Sequence, residues 1–201
     1  MGTKHAVLTG DIVNSRGLHA SLWLPVLEQA IRQYSTNFDI YRGDSFQVEL
    51  APQQSIWAMF YIRTCMRTID QLDVRMGLGI GEVSFTEASV KLSNGEAYLN
   101  SGIAFDGLGK ELMQVKSPWS TWDEPANIML QLLTALGERW TINMAETVKV
   151  MIENPDFSQR ELAQVLNRKY QSQVSTELGK ANWLKLKKTI HYCTTELLKQ
   201  W

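Results

Sequence analysis

Along residues 5 to 115 the apolar residues change period in the order strand, helix, strand, strand, helix, strand, helix, and that order leaves few folds open. His5 to Val13 reads as a buried strand that ends near Gly10-Asp11. Leu18 to Tyr34 has helical spacing through Leu22, Val26, Leu27 and Ile31. Phe38 to Tyr41 and Phe46 to Leu50 read as short strands around Arg42-Gly43-Asp44-Ser45, a hairpin with Asp44 at its tip. Ile56 to Leu72 is a second helix, and Val74 to Val83 a strand with glycines at 77, 79 and 81. After the turn Ser93-Asn94-Gly95, Ala97 to Val115 reads as a third helix.

This order predicts an α+β chain whose first part is an α/β sandwich of the ferredoxin-like kind, with helices on one face of an antiparallel sheet. Ser117-Pro118-Trp119-Ser120 breaks the pattern, and Asp123-Glu124-Pro125 makes a boundary. The expected domains are therefore 1–122, α/β, and 123–201, entirely helical. Within the second, helices are expected over Ala126 to Leu136, Met144 to Ile152, Ser158 to Leu166, Gln171 to Lys180, and from Asn182 onward. The last, with Trp183, Leu184, Leu186, Ile190, Leu197 and Leu198, reads as core or as a dimer interface.

At 201 residues, 44 % hydrophobic and 20 % charged, the composition is that of a globular protein. Cys65 and Cys193 lie far apart in helix-like segments, which points to a reducing compartment without a disulfide framework. No signal-peptide pattern opens the chain, and no apolar run approaches the ~20 residues of a membrane helix. A cytoplasmic protein with no membrane partner is the expectation. The triple glycine is not a dinucleotide fingerprint, because its spacing differs and no helix follows. Its simpler meaning is close approach of a helix to the sheet.

Asp11 and Asp44 share a setting, each beside a glycine at the edge of an apolar run. Taken singly, Asp11 reads as a helix cap and Asp44 as a turn residue. Taken together on neighbouring strands, they suit Mg²⁺, which uses one or two protein carboxylates and leaves its other positions to water and phosphate. Ile12-Val13-Asn14-Ser15-Arg16 leads into a helix, so Val13, Asn14, Ser15 and Arg16 are candidate phosphate contacts through backbone amides and the guanidinium. Arg42 and Gly43 are candidates on the hairpin, and Gly10 and Gly43 would allow a ligand close to the backbone.

These residues carry a resemblance. Gly10-Asp11-Ile12-Val13-x-Ser15 resembles the first metal-binding segment of class III nucleotide cyclases, and Gly43-Asp44-Ser45-Phe46 resembles their hairpin and that of the GGDEF diguanylate cyclases. Arg75-Met76-Gly77-Leu78-Gly79-Ile80-Gly81-Glu82-Val83 and Asn94-Gly95-Glu96-Ala97-Tyr98-Leu99-Asn100 are similar to the segments that follow in those cyclases. With its helical tail, the whole chain most resembles the SatD family, small bacterial proteins that join such a domain to a helix-turn-helix. The resemblance implies a nucleotide-cyclase-type fold, Asp11 and Asp44 as ligands of Mg²⁺ or Mn²⁺ with the carbonyl of Ile12 as a third, and Asn100 as a nucleotide contact. The cyclase arginine four residues beyond that asparagine falls on Ala104, and loss of such a donor typically costs about 10²–10³ in rate. The acid that follows the metal aspartate in the diguanylate enzymes is Ser45 here. Another residue, for instance Arg75 or Lys110, would have to replace the arginine.

In the tail, Ser158 and Glu161 form a capping box before Leu162-Ala163, and Asn167 can take the left-handed turn that ends a helix. The next helix turns Val174 and Leu178 inward, leaving Gln173, Ser175 and Thr176 for base edges and Arg168, Lys169 and Lys180 for phosphates. This resembles the helix-turn-helix of bacterial regulators, with a turn one residue longer than usual. From Pro155 onward cations outnumber anions, which suits double-stranded DNA and equally a solvated helix face. Two functions follow as expectations. One is a homodimeric transcriptional regulator that senses a nucleotide or other phosphorylated molecule through a divalent metal and binds DNA. The other is a nucleotidyl cyclase or related phosphoryl-transfer enzyme with a dimerising tail.

Overall fold

The structure, a computed structural model, describes residues 4–85 and 94–200. Its strands are β1 (Lys4–Val13), β2 (Phe38–Tyr41), β3 (Ser45–Leu50), β4 (Asp73–Phe85), β5 (Asn94–Gly95) and β6 (Met113–Lys116). Its helices are α1 (Ala20–Arg32), α2 (Pro52–Met66), α3 (Glu96–Asp106), α4 (Ser120–Glu138), α5 (Ile142–Glu153), α6 (Gln159–Val165), α7 (Gln171–Lys180) and α8 (Trp183–Leu198). The chain is α+β.

Strand β1 lies at the centre, antiparallel to β3 on one side and to β4 on the other, with β2 outside β3. The sheet is mixed, because β6 pairs parallel with β4. Sequence periodicity alone places a single helix over Ala97 to Val115, whereas the structure divides that stretch into α3 and β6. Gly107-Leu108-Gly109, with Gly109 at φ +56°, ends the helix, and the alternately buried Met113 and Val115 then form a strand.

Strand β4 shows why helices occupy both faces. Its even positions, Val74, Met76, Leu78 and Ile80, are buried with Leu27, Ile31, Met59 and Ile62 of α1 and α2. Its odd positions, Gly77, Gly79 and Gly81, face α3. A Cβ at Gly79 would stand 2.1 Å from the Ala97 carbonyl oxygen, and one at Gly77 2.3 Å from the Phe105 amide nitrogen. The expected arrangement, helices on one face only, thus holds for α1 and α2 and is overturned for α3.

Helix α2 is buried from Ile56 to Met66 except for the half-buried Trp57. It packs against α1 and the sheet on one side and against α5 and α8 on the other. One hydrophobic cluster therefore runs from β1 to Leu197, taking in Trp122, Leu130 and Leu133 of α4. The boundary expected between residues 122 and 123 falls inside α4. The Asp123 carboxylate accepts from the Ser117 amide (3.1 Å), the Ser117 hydroxyl (2.6 Å) and the Lys116 ammonium (3.1 Å), so it fastens the start of α4 to the end of β6. Pro125 sits on the exposed side of the second turn. Among the described residues, no helix is long and apolar enough to cross a membrane.

Candidate functional site

The antiparallel register sets Asp11 of β1 between Ser45 of β3 and Arg75 of β4. Asp44 immediately precedes β3, and its carbonyl accepts the Ile12 amide at 3.1 Å. Both aspartates therefore line one cavity of about 700 Å³, together with Ile12, Val13, Asn14, Ser15, Arg16, Gly17, Leu18, Gln71, Arg75 and Leu112. That volume lies within the range of small-molecule sites.

Each carboxylate already has a protein partner. The guanidinium of Arg75 donates two bonds to Asp11, Nε to Oδ1 at 3.0 Å and Nη2 to Oδ2 at 2.5 Å. This bidentate pairing raises the Arg75 pKa, against a smaller opposing effect of burial. The Ser15 hydroxyl donates to Asp44 Oδ2 at 2.5 Å. Neither aspartate caps a helix. Asn14, left-handed at φ 64°, precedes a single 3-10 turn over Ser15–Gly17 and ties its side chain to the Gln71 carbonyl at 2.8 Å. Helix α1 begins only at Ala20 behind its own cap, His19. The segment expected to lead from Asp11 into the helix at Leu18 thus contains this turn, and the helix starts two residues later than expected.

The two-aspartate set fits a hard cation. Its donors are oxygens, two carboxylates with the backbone at Ile12 beside them, which matches what Mg²⁺ takes from a protein. Among the described residues, no group of three His, Cys, Asp or Glu side chains converges on one point. The charged residues lining the cavity are Asp11, Asp44, Arg16 and Arg75, which balance. A divalent ion would leave the site doubly positive, complementary to a polyphosphate.

The other expected contacts separate from this cavity. Arg42 and Gly43 form the hairpin turn at φ 54° and 91° but do not line the cavity. Asn100 is buried on α3, where its amide donates to the Ile80 carbonyl at 2.8 Å, so it fixes α3 to β4. Ala104, one turn on, is fully buried, leaving no room there for an arginine. Gly10 serves packing rather than ligand approach, since a Cβ there would meet the Phe46 ring at 2.5 Å. Gln71 and Leu112 were not legible as site residues. Both sit in connections, before β4 and β6, that only pairing brings to the cavity.

In the tail, Ser158 and Glu161 make the expected capping box, and Asn167 takes φ 51°. The Arg168 amide bonds the Ala163 carbonyl at 2.8 Å and that of Asn167 bonds Gln164 at 3.1 Å, a Schellman ending for α6. Val174 is fully buried against Leu162 and Ala163. Ser175, Thr176, Lys169 and Lys180 are exposed. Arg168 is not available to phosphate as expected: its guanidinium lies between Glu177 (3.2 Å) and Glu146 (3.0 Å), largely buried. Gln173 is exposed, but its side-chain oxygen turns back to accept the Tyr170 amide at 3.0 Å.

In comparison with known proteins, no protein-family model matches the chain, and no curated protein sequence matches it.

Proposed function

We propose that this protein is a bacterial regulator of the SatD family that senses a nucleotide or another phosphorylated molecule through Mg²⁺ or Mn²⁺ at Asp11 and Asp44 and binds DNA through α6 and α7. The observation that carries the reading is the convergence of both aspartates, Arg16 and Arg75 on one cavity. We read the strand order β2-β3-β1-β4 with α1 and α2 on one face as a ferredoxin-like, nucleotide-cyclase-type domain, and α6–α7 as a helix-turn-helix domain. Ile12 and the two carboxylates would hold the metal, which supplies positive charge for phosphate oxygens. The protein's own part is to hold that charge pattern: Arg75 neutralises Asp11 until an anion competes for the guanidinium, and Ser15 orients Asp44. Exposed Ser175, Thr176, Lys169 and Lys180 are the DNA-facing candidates. Packing of α5 and α8 on α2 gives a route by which ligand binding near the sheet can bias the tail.

A phosphoryl-transfer enzyme is the second reading, and Arg75 favours it, since a guanidinium does stand at the cavity although Ala104 cannot provide one. Calorimetric titration of ATP, GTP, CTP and UTP, with Mg²⁺ or Mn²⁺, into wild type and the Asp11→Ala/Asp44→Ala variant tests both. Metal-dependent binding that the variant loses is expected, and product analysis then separates sensor from enzyme. No binding by wild type would overturn both.

A further inference from the structure

Helix α4 carries a surface that neither reading uses. Residues 125–137 contain no Asp, Glu, Lys or Arg. Ile128, Leu132 and Leu136, spaced four apart, are 58 %, 62 % and 37 % exposed. Positions four apart lie on one helix face, so these side chains form a stripe about 12 Å long. Exposed Gln131 and Ala135 beside them add no charge. The stripe ends between opposite charges, Glu124 before it and Arg139 after it, both exposed. Large apolar residues aligned this way on the surface mark an interaction site rather than scattered exposure.

We infer that α4 is the self-association surface of this protein, pairing antiparallel with α4 of a second copy about a two-fold axis at Leu132. In that register Leu132 meets the second copy's Leu132, and Ile128 meets the second copy's Leu136. Arg139 then lies at the turn of the second copy that carries Glu124, and the reverse contact repeats it, as a two-fold interface requires. Parallel pairing would set like charges together at both ends. Glu138 points about 120° away from Leu132 around the helix and stays outside the seam. Helix α3 also exposes apolar residues, Leu99 and Ile103, but its exposed ends are both acidic, Glu96 and Asp106, so the same antiparallel pairing there would oppose acid to acid. The sequence left α8 as either core or a dimer interface. In the structure Trp183, Leu186, Ile190 and Leu197 of α8 are buried within the chain's own core. This inference does not rest on the nucleotide or DNA reading.

Sedimentation velocity of the full chain across a concentration series tests it. Wild type is expected to reach twice the monomer mass, and Leu132→Glu to remain monomeric with an unchanged circular dichroism spectrum. Arg139→Glu is expected to weaken the dimer and Glu124→Arg, added to it, to restore it. Leu132→Cys should crosslink to itself under mild oxidation while wild type does not, because Cys65 and Cys193 are buried. A wild type monomeric at every concentration overturns the inference. So does a dimer that survives Leu132→Glu but is lost in Ile103→Glu, which would assign the interface to α3.

Discussion

Arg63 on α2 holds Asp73 at the start of β4 through two hydrogen bonds, 2.9 Å from Nε and 3.0 Å from Nη2, while Nη1 donates to the Thr134 carbonyl of α4 at 3.1 Å. Both side chains are buried, so one ion pair joins the sheet, its principal helix and the first helix of the tail. Removing Arg63 leaves Asp73 only the Val74 amide and a long contact to Arg67 at 3.9 Å, so the loss is at most about 3–5 kcal/mol. Arg63→Met is expected to lower the unfolding free energy by that order, read from the shift of the urea midpoint. Gly137→Ala should act on the same pair, since its new Cβ would stand 2.6 Å from Arg63 Nη1. Unfolding curves that superimpose on wild type would show that the pair is not structural.

The glycines of β4 predict a second loss. Gly79→Ala must push the Ala97 carbonyl and the Ser101 amide, both backbone atoms within 2.2 Å of the new Cβ, away from the sheet. Overpacking of this kind typically costs about 1–3 kcal/mol. Thermal unfolding should register it, and Gly102→Ala, inside α3 where nothing lies within 4 Å, is the control expected to lose no stability and to gain up to about 1 kcal/mol.

Arg75 and a metal compete for Asp11. Arg75→Ala frees both carboxylate oxygens, so Mn²⁺ affinity in the absence of nucleotide is expected to rise by about tenfold, or about 1.4 kcal/mol. Nucleotide affinity should fall in the same variant, because a phosphate partner is lost. Titration of Mn²⁺ alone and with ATP separates the two effects. A parallel change in both would place Arg75 outside the site.

The two classes of basic residue in the tail should behave differently. Lys169→Ala and Lys180→Ala, both exposed, are expected to leave stability unchanged and to reduce the salt slope of DNA binding by about one each. Arg168→Ala leaves Glu177 and Glu146 without their partner, so it should lower stability as well as any binding. Melting curves beside a salt titration read both.

Alkaline pH should destabilise the fold. Burial raises the Cys65 thiol from 9.0 to about 12, with Tyr61 and Lys149 opposing it, and raises the Tyr34 phenol from 10.0 to about 12, helped by Cys65 and Glu153. Well below pH 9 these groups are protonated whether the chain is folded or not, and stability is at its full value. Above it the unfolded chain ionises first, so stability falls as pH rises toward 12, by about 1.4 kcal/mol per pH unit for each group in its window. Denaturant midpoints near pH 8 and near pH 11 should therefore differ, and by less in Cys65→Ala.

Local patterns already in the sequence account for much of what is observed. Period-two and helical spacing place β1, β3, α1 and α7 within a few residues. The capping box of Ser158 and Glu161 and the left-handed Asn167 bracket α6, because caps depend on neighbours three or four positions away. The glycines at 77, 79 and 81 announce a close helix for the same kind of reason, the absence of Cβ atoms along one face of a strand. Asp11 and Asp44 were legible as a pair, since each stands beside a glycine at the edge of an apolar run.

Other features had no local signal. Strand β6 is four residues long and parallel to β4, so its pairing is set entirely by the sheet. The continuity of the core through α4 follows from α2 being apolar on nearly every face, which a helix requires only when something covers both sides. Arg168 reads in sequence as a free cation and becomes a buried tie only when Glu146 and Glu177 are folded against it. Arg75 reaches Asp11 because antiparallel register places the two directly opposite, across 64 positions of chain. Sequence by itself thus determined most of the elements, the caps of α6 and the candidate pair of aspartates, from patterns within a turn or a strand. Tertiary structure alone decided which charges meet, because partners far apart in the chain are brought together only by strand pairing and long-range packing.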